Sequence, residues 1–249
     1  MPPLKHLARK VKRRISDLLE PGRKSGSELD FWRKEIVIYQ RWYQGELKRL
    51  YTTSCPREDQ KVAAPNLKDA SLLTWHKLGQ EAKYLADLEL GPDAFRGKRV
   101  LDIGSGPIPS ATCFKDIQLY CLDPLLPDYV KAGFPLHYFD NVHFVHSHSE
   151  TMPLADAFFD VVIAVNSIDH VDDIKKTAKE IQRVLKPGGL LRMHVHYHPA
   201  TITEPLEFDD AQITGLFSWC PNFRKMGARS RGFSSDLPPG EQFVLWSNF

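Results

Sequence analysis

The chain has 249 residues, 42% hydrophobic and 26% charged, with a formal net charge of +2, the balance of a globular protein able to bury one substantial core. No apolar run approaches the roughly 18 residues that a membrane span needs. The opening MPPLKHLARKVKRR has no apolar stretch behind its basic residues, so neither a spanning helix nor a secretory leader is expected. Cys55, Cys113, Cys121 and Cys220 are scattered without a C-x-x-C pair, which predicts reduced thiols in a cytoplasmic protein, with neither a disulfide frame nor a zinc site.

Residues 1–24 carry eight Lys/Arg against Asp17 and Glu20, a balance of +6, which leaves −4 for the rest of a chain whose total is +2. Within this arm residues 4–19 place Leu4, Leu7, Val11, Ile15 and Leu18 at helical spacing, with Lys and Arg opposite. Such a helix suits peripheral contact with an anionic surface, here the inner face of a membrane. It could instead touch nucleic acid through phosphates, or simply present a solvated face. Pro21-Gly22 ends it, and residues 23–27 read as a flexible hinge. A second helix is expected from Glu28, capped by Ser27, with Trp32, Ile36, Tyr39, Tyr43, Leu47 and Leu50 along one stripe. Thr52 to Asn66 reads as a loop, and a third helix runs from Leu67 to Leu88, closed by Gly91-Pro92. The chain thus divides into a basic arm (1–24), a helical extension or lid (25–95) and a sheet domain (96–249).

From Lys98 short apolar runs alternate with helical patterns, the texture of parallel βαβ units. Strands are predicted at Arg99–Ile103, Gln118–Leu122, Val142–His146, Phe159–Val165 and Gly189–His196. A helix from Asp172 to Leu185 stops at Lys186-Pro187-Gly188-Gly189, and another covers Phe208–Phe217. Phe223–Ala228 and Gln242–Trp246 then close the sheet.

The sharpest segment is RVLDIGSGP, Arg99 to Pro107: a buried strand delivers an acid, and Gly104 and Gly106 let the backbone turn tightly against a ligand. Such a turn alone is weak, since NAD-binding sheets begin similarly. The intervals downstream strengthen it: Asp123 in LYCLDP ends the second strand, SETMPL (149–154) follows the third, and FFDVVIAVNSIDHV (158–171) supplies the fourth before LKPGG (185–189). This ordered set resembles the class I S-adenosylmethionine-dependent methyltransferases of the small-molecule type. The resemblance covers roughly residues 75–200. It implies a Rossmann-like, seven-stranded, mostly parallel α/β sheet with helices on both faces, preceded here by a helical N-terminal extension.

Carried over by position, the resemblance implies that Asp102, Gly104, Ser105 and Gly106 line the methionine end of S-adenosylmethionine. Asp123 and the adjoining Pro124 would hold the ribose. His148, Ser149 and Glu150 would flank the adenine, and Asn166 would close the site. Two positions depart from the pattern: Ile108 stands where a third glycine is usual, and His148 where an acid often meets the adenine amine.

An acceptor hydroxyl needs a group to take its proton, which directs attention to histidines. Asp169 and His170 lie just past the fourth strand, and His194, His196 and His198 alternate along the fifth, so their side chains share a face. His194 is expected beneath a helix, with His196 and His198 nearer the open end. Asp169, His170, His196 and His198 are therefore the candidate catalytic groups, and with no assured carboxylate partner no metal site is expected. Trp32, Tyr39, Tyr43, Trp75 and Tyr84 could roof the acceptor.

The expected activity is methyl transfer to oxygen or nitrogen of a small molecule or a glycan, such as a lipid-linked sugar. Nucleic acid is disfavoured as acceptor because Asn166-Ser167-Ile168-Asp169 replaces the Asn/Asp-Pro-Pro-Tyr/Phe motif of amino-directed DNA enzymes. Rival readings are a non-catalytic methyltransferase-like binding subunit, an RNA methyltransferase recruited by the basic arm, and an NAD(P)-dependent oxidoreductase, against which Ile108 argues. Oligomeric state leaves no trace in the sequence.

Overall fold

A computed structural model of the chain describes residues 23–230 and 237–249. The expected helix at 4–19, and any membrane or nucleic-acid contact made through it, lie outside the described residues. Among the described residues no helix is long and apolar enough to cross a membrane.

Helix α1 spans Arg23–Tyr43. The hinge expected at 23–27 and the cap expected at Ser27 are therefore corrected: RKSGS is the first turn of the helix. It contains no proline, and Lys24 is tied down by Asp172 at 2.9 Å and by the carbonyl of His170. The far end was also misplaced. Gly45, at φ +85°, closes α1 in a Schellman motif, in which the Glu46 N–H reaches the Arg41 carbonyl and the Gly45 N–H reaches that of Trp42. The apolar stripe thus does not continue on the helix to Leu47 and Leu50. Leu50 belongs to β1 (Arg49–Leu50), which pairs antiparallel with β2 (Thr53–Ser54) inside the segment expected to be a loop.

The helical run predicted for 67–88 is continuous but not uniform. Helix α2 (Leu67–Trp75) is capped by Asn66, whose side chain accepts the Asp69 N–H. A π-helical turn (His76–Gln80) links it to α3 (Glu81–Leu88). The third to ninth strands form the large sheet: β3 (Arg99–Ile103), β4 (Gln118–Leu122), β5 (Val142–Val145), β6 (Phe159–Val165), β7 (Leu185–Tyr197), β8 (Arg224–Arg229) and β9 (Gln242–Ser247). Between them lie α4 (Leu126–Ala132), α5 (Ile174–Val184) and α6 (Asp210–Leu216).

The large sheet has the order β5-β4-β3-β6-β7-β9-β8. The first five strands pair in parallel, and β9 runs antiparallel to both β7 and β8. Leu185 pairs with Phe159 and Leu190 with Val161, so Lys186–Gly189 forms an irregularity within the β6–β7 ladder, with Gly188 at φ +75°. The expected turn is thereby absorbed as a bulge at the start of a long strand.

The inner strands are apolar on both faces because both are covered. Leu101, Ile103, Val162 and Met193 pack toward α5 and α6, whereas Val100, Val161 and Ile163 pack toward α3. A third cluster joins Ile36, Tyr39 and Trp42 of α1 to Leu72 and Trp75 of α2, Tyr129 of α4, and Ile108. Through it the N-terminal helices are seated on the turn that follows β3.

Helix α6 starts with a capping box: the Asp209 carboxylate accepts the Gln212 N–H at 2.7 Å, while the Gln212 side chain accepts the Asp209 N–H at 2.9 Å. Asp209→Ala should cost about 1 kcal/mol. In a domain of this size that is a fall of about 2–4 °C in Tm, readable by thermal unfolding.

Candidate active site

In chain order β3 is followed by β4 and β5 on one side, after which β6 returns to its other side. The strand order reverses there, leaving a crevice beyond the carboxyl ends of β3 and β6. Gly104 leaves β3 at φ +67°, and a Cβ on it would stand 2.4 Å from the Cβ of Ser167, which follows β6. The Ser167 hydroxyl donates to the Ile103 carbonyl at 2.6 Å, so the two strand ends are stitched together where a side chain on residue 104 would separate them. Gly106, at φ +70°, faces open space and donates its N–H to Asp123 Oδ2 at 2.9 Å. Asp123 Oδ1 accepts the Leu125 N–H at 2.8 Å. The glycine turn and the acid at the end of β4 are therefore one unit.

A cavity of about 610 Å³ opens over this unit. Gly104, Ser105 and Gly106 line it, as do Asp123 and Pro124, His148, Ser149 and Glu150, and Asn166, so these predicted cofactor positions are brought together. Asp102 is the exception and is corrected: it is fully buried and does not line the cavity. It stands behind Tyr84, whose hydroxyl donates to Oδ1 at 3.5 Å, while Oδ2 has no partner among the described residues. Burial pushes its carboxyl up to about 8. Burial also raises Asp123, to about 6, against the opposing N–H bonds from Leu125 and Gly106. Glu150 has a second task, since its Oε1 accepts the N–H groups of Asp172 and Asp173 (2.8 and 3.0 Å) ahead of α5.

The raised Asp102 predicts a pH dependence of stability. Its folded-state value lies above that of the unfolded chain, so the unfolded state releases this proton first, and stability falls as pH rises from about 4 to about 8. Denaturant unfolding at pH 5 and pH 8.5 should show that fall in the native protein and a smaller one in Asp102→Asn.

The roof comes from the N-terminal helices. Trp32, Tyr39, Trp75 and Tyr84 line the cavity, with Tyr39 and Trp75 stacked at 4.2 Å between ring centres. Tyr43 does not line it; its ring lies under the Lys61 ammonium at 4.8 Å.

The histidines divide. His194 is buried near α3, with Nε2 3.8 Å from Asp87 Oδ1, Nδ1 2.8 Å from Asn166 Oδ1 and its ring stacked on Phe243. Burial pulls it down to about 4, so at neutral pH it is an uncharged prop for Asn166. His170 and His196 line the cavity. Asp169 and His198 do not, which corrects their expected direct role: they form a buried pair, His198 Nε2 lying 3.2 Å from Asp169 Oδ2. Burial works against charge on His198, but the bonds to Asp169 and to the Pro199 carbonyl, with the Glu204 charge, prevail and raise it to about 9. His196 Nε2 lies 3.0 Å from Glu241 Oε2, and burial lowers its value.

Two carboxylates escaped the sequence reading. Glu204 sits in a loop without any motif, tethered because Thr201 Oγ1 donates to its Oε2 and accepts its N–H. Its Oε1 lies 3.9 Å from His170 Nε2. Glu241 precedes β9. One ligating atom each from Asp169, His196, His198 and Glu204 lies within 4.8 Å of the others, so the histidines do have carboxylate neighbours.

A crevice at the switch point of a parallel sheet, with a glycine turn bonded to an acid on the next strand, defines a Rossmann-like domain built for a nucleotide-bearing cofactor. Residues 101–193 match the family model described as a methyltransferase domain, and the sheet they belong to has the Rossmann-like methyltransferase fold. An uncharacterized methyltransferase of Bacillus subtilis, YcgJ, is 27% identical over 139 residues, 54% of this chain and 55% of that protein. The O-methyltransferase rstn1 of Aspergillus nomiae is 30% identical over 109 residues, 39% of this chain and 45% of that protein. The chain thus spans about half the length of these curated relatives. Among solved structures, a Thermotoga maritima S-adenosylmethionine-dependent methyltransferase superposes with a TM-score of 0.51 at 18% identity, covering 70% of this chain and 93% of that one. Phosphoethanolamine N-methyltransferase 2 of Haemonchus contortus, solved with S-adenosyl-L-methionine, gives 0.51 at 20% identity, covering 63% and 43%. These likenesses concern the fold.

Proposed function

We propose that this chain binds S-adenosylmethionine in the 610 Å³ cavity and transfers its methyl group to oxygen or nitrogen of a small molecule or of the terminal unit of a glycan. The observation that carries the reading is the hydrogen-bonded unit of Gly106 and Asp123 on the cavity wall. The residues present fit the cofactor. Gly106 meets nothing within 4 Å where a Cβ would stand, Ser105 Oγ is buried without a partner among the described residues, and Asp123 keeps lone pairs free for two ribose hydroxyls. The relatives' names point the same way. An NAD reading is disfavoured by the turn itself: a short 3-10 segment, Ser110–Cys113, follows it, so no helix N-terminus faces a pyrophosphate.

S-adenosylmethionine supplies the electrophilic methyl group when bound. The chain supplies position and proton handling. Asn166, held by His194, and the stacked roof of Tyr39 and Trp75 fix the acceptor and exclude water. His170 takes the acceptor's proton: its ring lines the cavity and makes no hydrogen bond among the described residues. A cavity of this size lies in the ordinary range for small-molecule sites, about 300–1,000 Å³.

Calorimetric titration with S-adenosylhomocysteine, run beside NAD, tests the reading. Micromolar binding of the first and none of the second is expected; the reverse, or no binding of either, would sink it.

A further inference from the structure

The cluster of Asp169, His196, His198 and Glu204 joins the segment after β6 to the end of β7 and the loop that follows it. Its four donor atoms lie within 4.8 Å of one another. Metal–ligand bonds of about 2.0–2.2 Å place tetrahedral donors about 3.5 Å apart, so closure on an ion asks for side-chain shifts of about 1 Å.

Three further observations converge on a cation. Asp169 is fully buried, yet its Oδ1 has no hydrogen-bond partner among the described residues, which is costly for a carboxylate oxygen unless something else meets it. His198 Nδ1 donates to the Pro199 carbonyl oxygen at 2.8 Å and so keeps its proton, which leaves Nε2, the nitrogen that donates to Asp169 Oδ2 in the metal-free pair, as the one an ion would take by displacing its proton. His196 Nε2 lies 3.0 Å from Glu241 Oε2, an outer carboxylate of the kind that orients a ligating imidazole and leaves its other nitrogen free.

We propose that Asp169, His196, His198 and Glu204 form a binding site for one divalent transition-metal ion at the edge of the cavity. Two imidazoles and two carboxylates suit zinc, manganese or cobalt; an all-oxygen set would be the preference of magnesium. The site has a buried half, Asp169 and His198, and a half that lines the cavity, His196 and Glu204. With four protein donors a tetrahedral ion would be closed, so a position open toward the cavity requires expansion to five or six coordination, on the side of His196 and Glu204. If the methyltransferase reading is right, that position binds an oxygen of the acceptor, which narrows the acceptor class to molecules with an oxygen donor beside the methylated atom.

The test needs no turnover. Full-length protein stripped with chelator is titrated with Zn²⁺, Mn²⁺ and Mg²⁺ by calorimetry, and with Co²⁺ by its visible absorption bands, all without cofactor. Expected are one Zn²⁺ and one Co²⁺ per chain, and at least tenfold weaker binding in both His196→Ala and Glu204→Gln. Glu204 lies in a loop, so its substitution spares the buried pair. Absence of saturable Zn²⁺ and Co²⁺ binding, or binding unchanged in both variants, overturns the site. S-adenosylhomocysteine titrated into the same stripped protein reports on the cofactor reading separately, so either can fail without the other.

Discussion

Asp123→Ala should weaken S-adenosylhomocysteine binding by about 100-fold or more while leaving the chain folded. A hydrogen bond to a charged group contributes about 1.5–3 kcal/mol, and the carboxylate is positioned to accept two ribose hydroxyls, so about 3–6 kcal/mol is at stake. The same oxygens also accept the N–H groups of Gly106 and Leu125, and alanine frees both. The glycine turn would then lose its tie to β4, adding disorder at the cofactor's approach. Opposing this, a buried carboxyl raised to about 6 is itself a cost of folding, and its removal refunds part of what the lost N–H bonds cost. Asp123→Asn keeps one acceptor oxygen and should fall between the two. Calorimetry on the three proteins, with circular dichroism as a fold control, checks this. Equal affinity in all three would show that Asp123 is only a turn cap.

The parts of the fold visible in the sequence are those set by local pattern. Five central strands and the helix before the fifth follow from apolar runs that alternate with 3.6-residue periodicity, and the observed bounds of β3, β4 and β6 coincide with the expected ones, whereas the short α4 between β4 and β5 was not foreseen. The errors arose where a long-range contact or a single backbone dihedral decided. RKSGS joined α1 because Lys24 finds partners at His170 and Asp172, nearly 150 residues away, which no local reading sees. Leu50 left the helical stripe because Gly45 adopts a left-handed conformation five residues earlier. Asp102, expected at the ligand, is withdrawn behind Tyr84 although its neighbour Gly104 reaches the cavity.

The site divides in the same way. Gly104, Gly106 and Asp123 were legible because a turn and a strand end carry fixed spacing. The second half of the histidine cluster was not. Glu204 and Glu241 reach His170 and His196 only through the folding of the loops before α6 and β9, and neither loop has a motif. The alternation of His194, His196 and His198 did correctly imply a shared face. Their different fates come from what covers that face: α3 over His194, the cavity beside His196, and Asp169 against His198.

Gly104→Ala carries the other large expected effect, on stability as well as binding. The residue sits at φ +67°, where a side chain costs about 1 kcal/mol or more, and the new Cβ would come 2.4 Å from the Cβ of Ser167. That neighbour cannot swing aside, since Ser167 Oγ is bonded to the Ile103 carbonyl and the atom in conflict is a Cβ, not the tip of a flexible chain. Relief therefore requires the ends of β3 and β6 to move apart, breaking the Ser167–Ile103 bond and widening the cavity floor. Together these place the cost at about 3 kcal/mol, near the upper range for single substitutions, readable as a lower denaturant midpoint at unchanged slope. The cause is separable. Ser167→Gly removes both the opposing Cβ and the hydroxyl, leaving the Ser167 Cα, 3.6 Å away, as the remaining contact. In the double variant Gly104→Ala/Ser167→Gly the clash disappears while the dihedral strain stays, so the two losses should be markedly less than additive. Strict additivity would mean that the strain of the left-handed backbone, and not the crossing of two strand ends, is what demands glycine at the floor of this site.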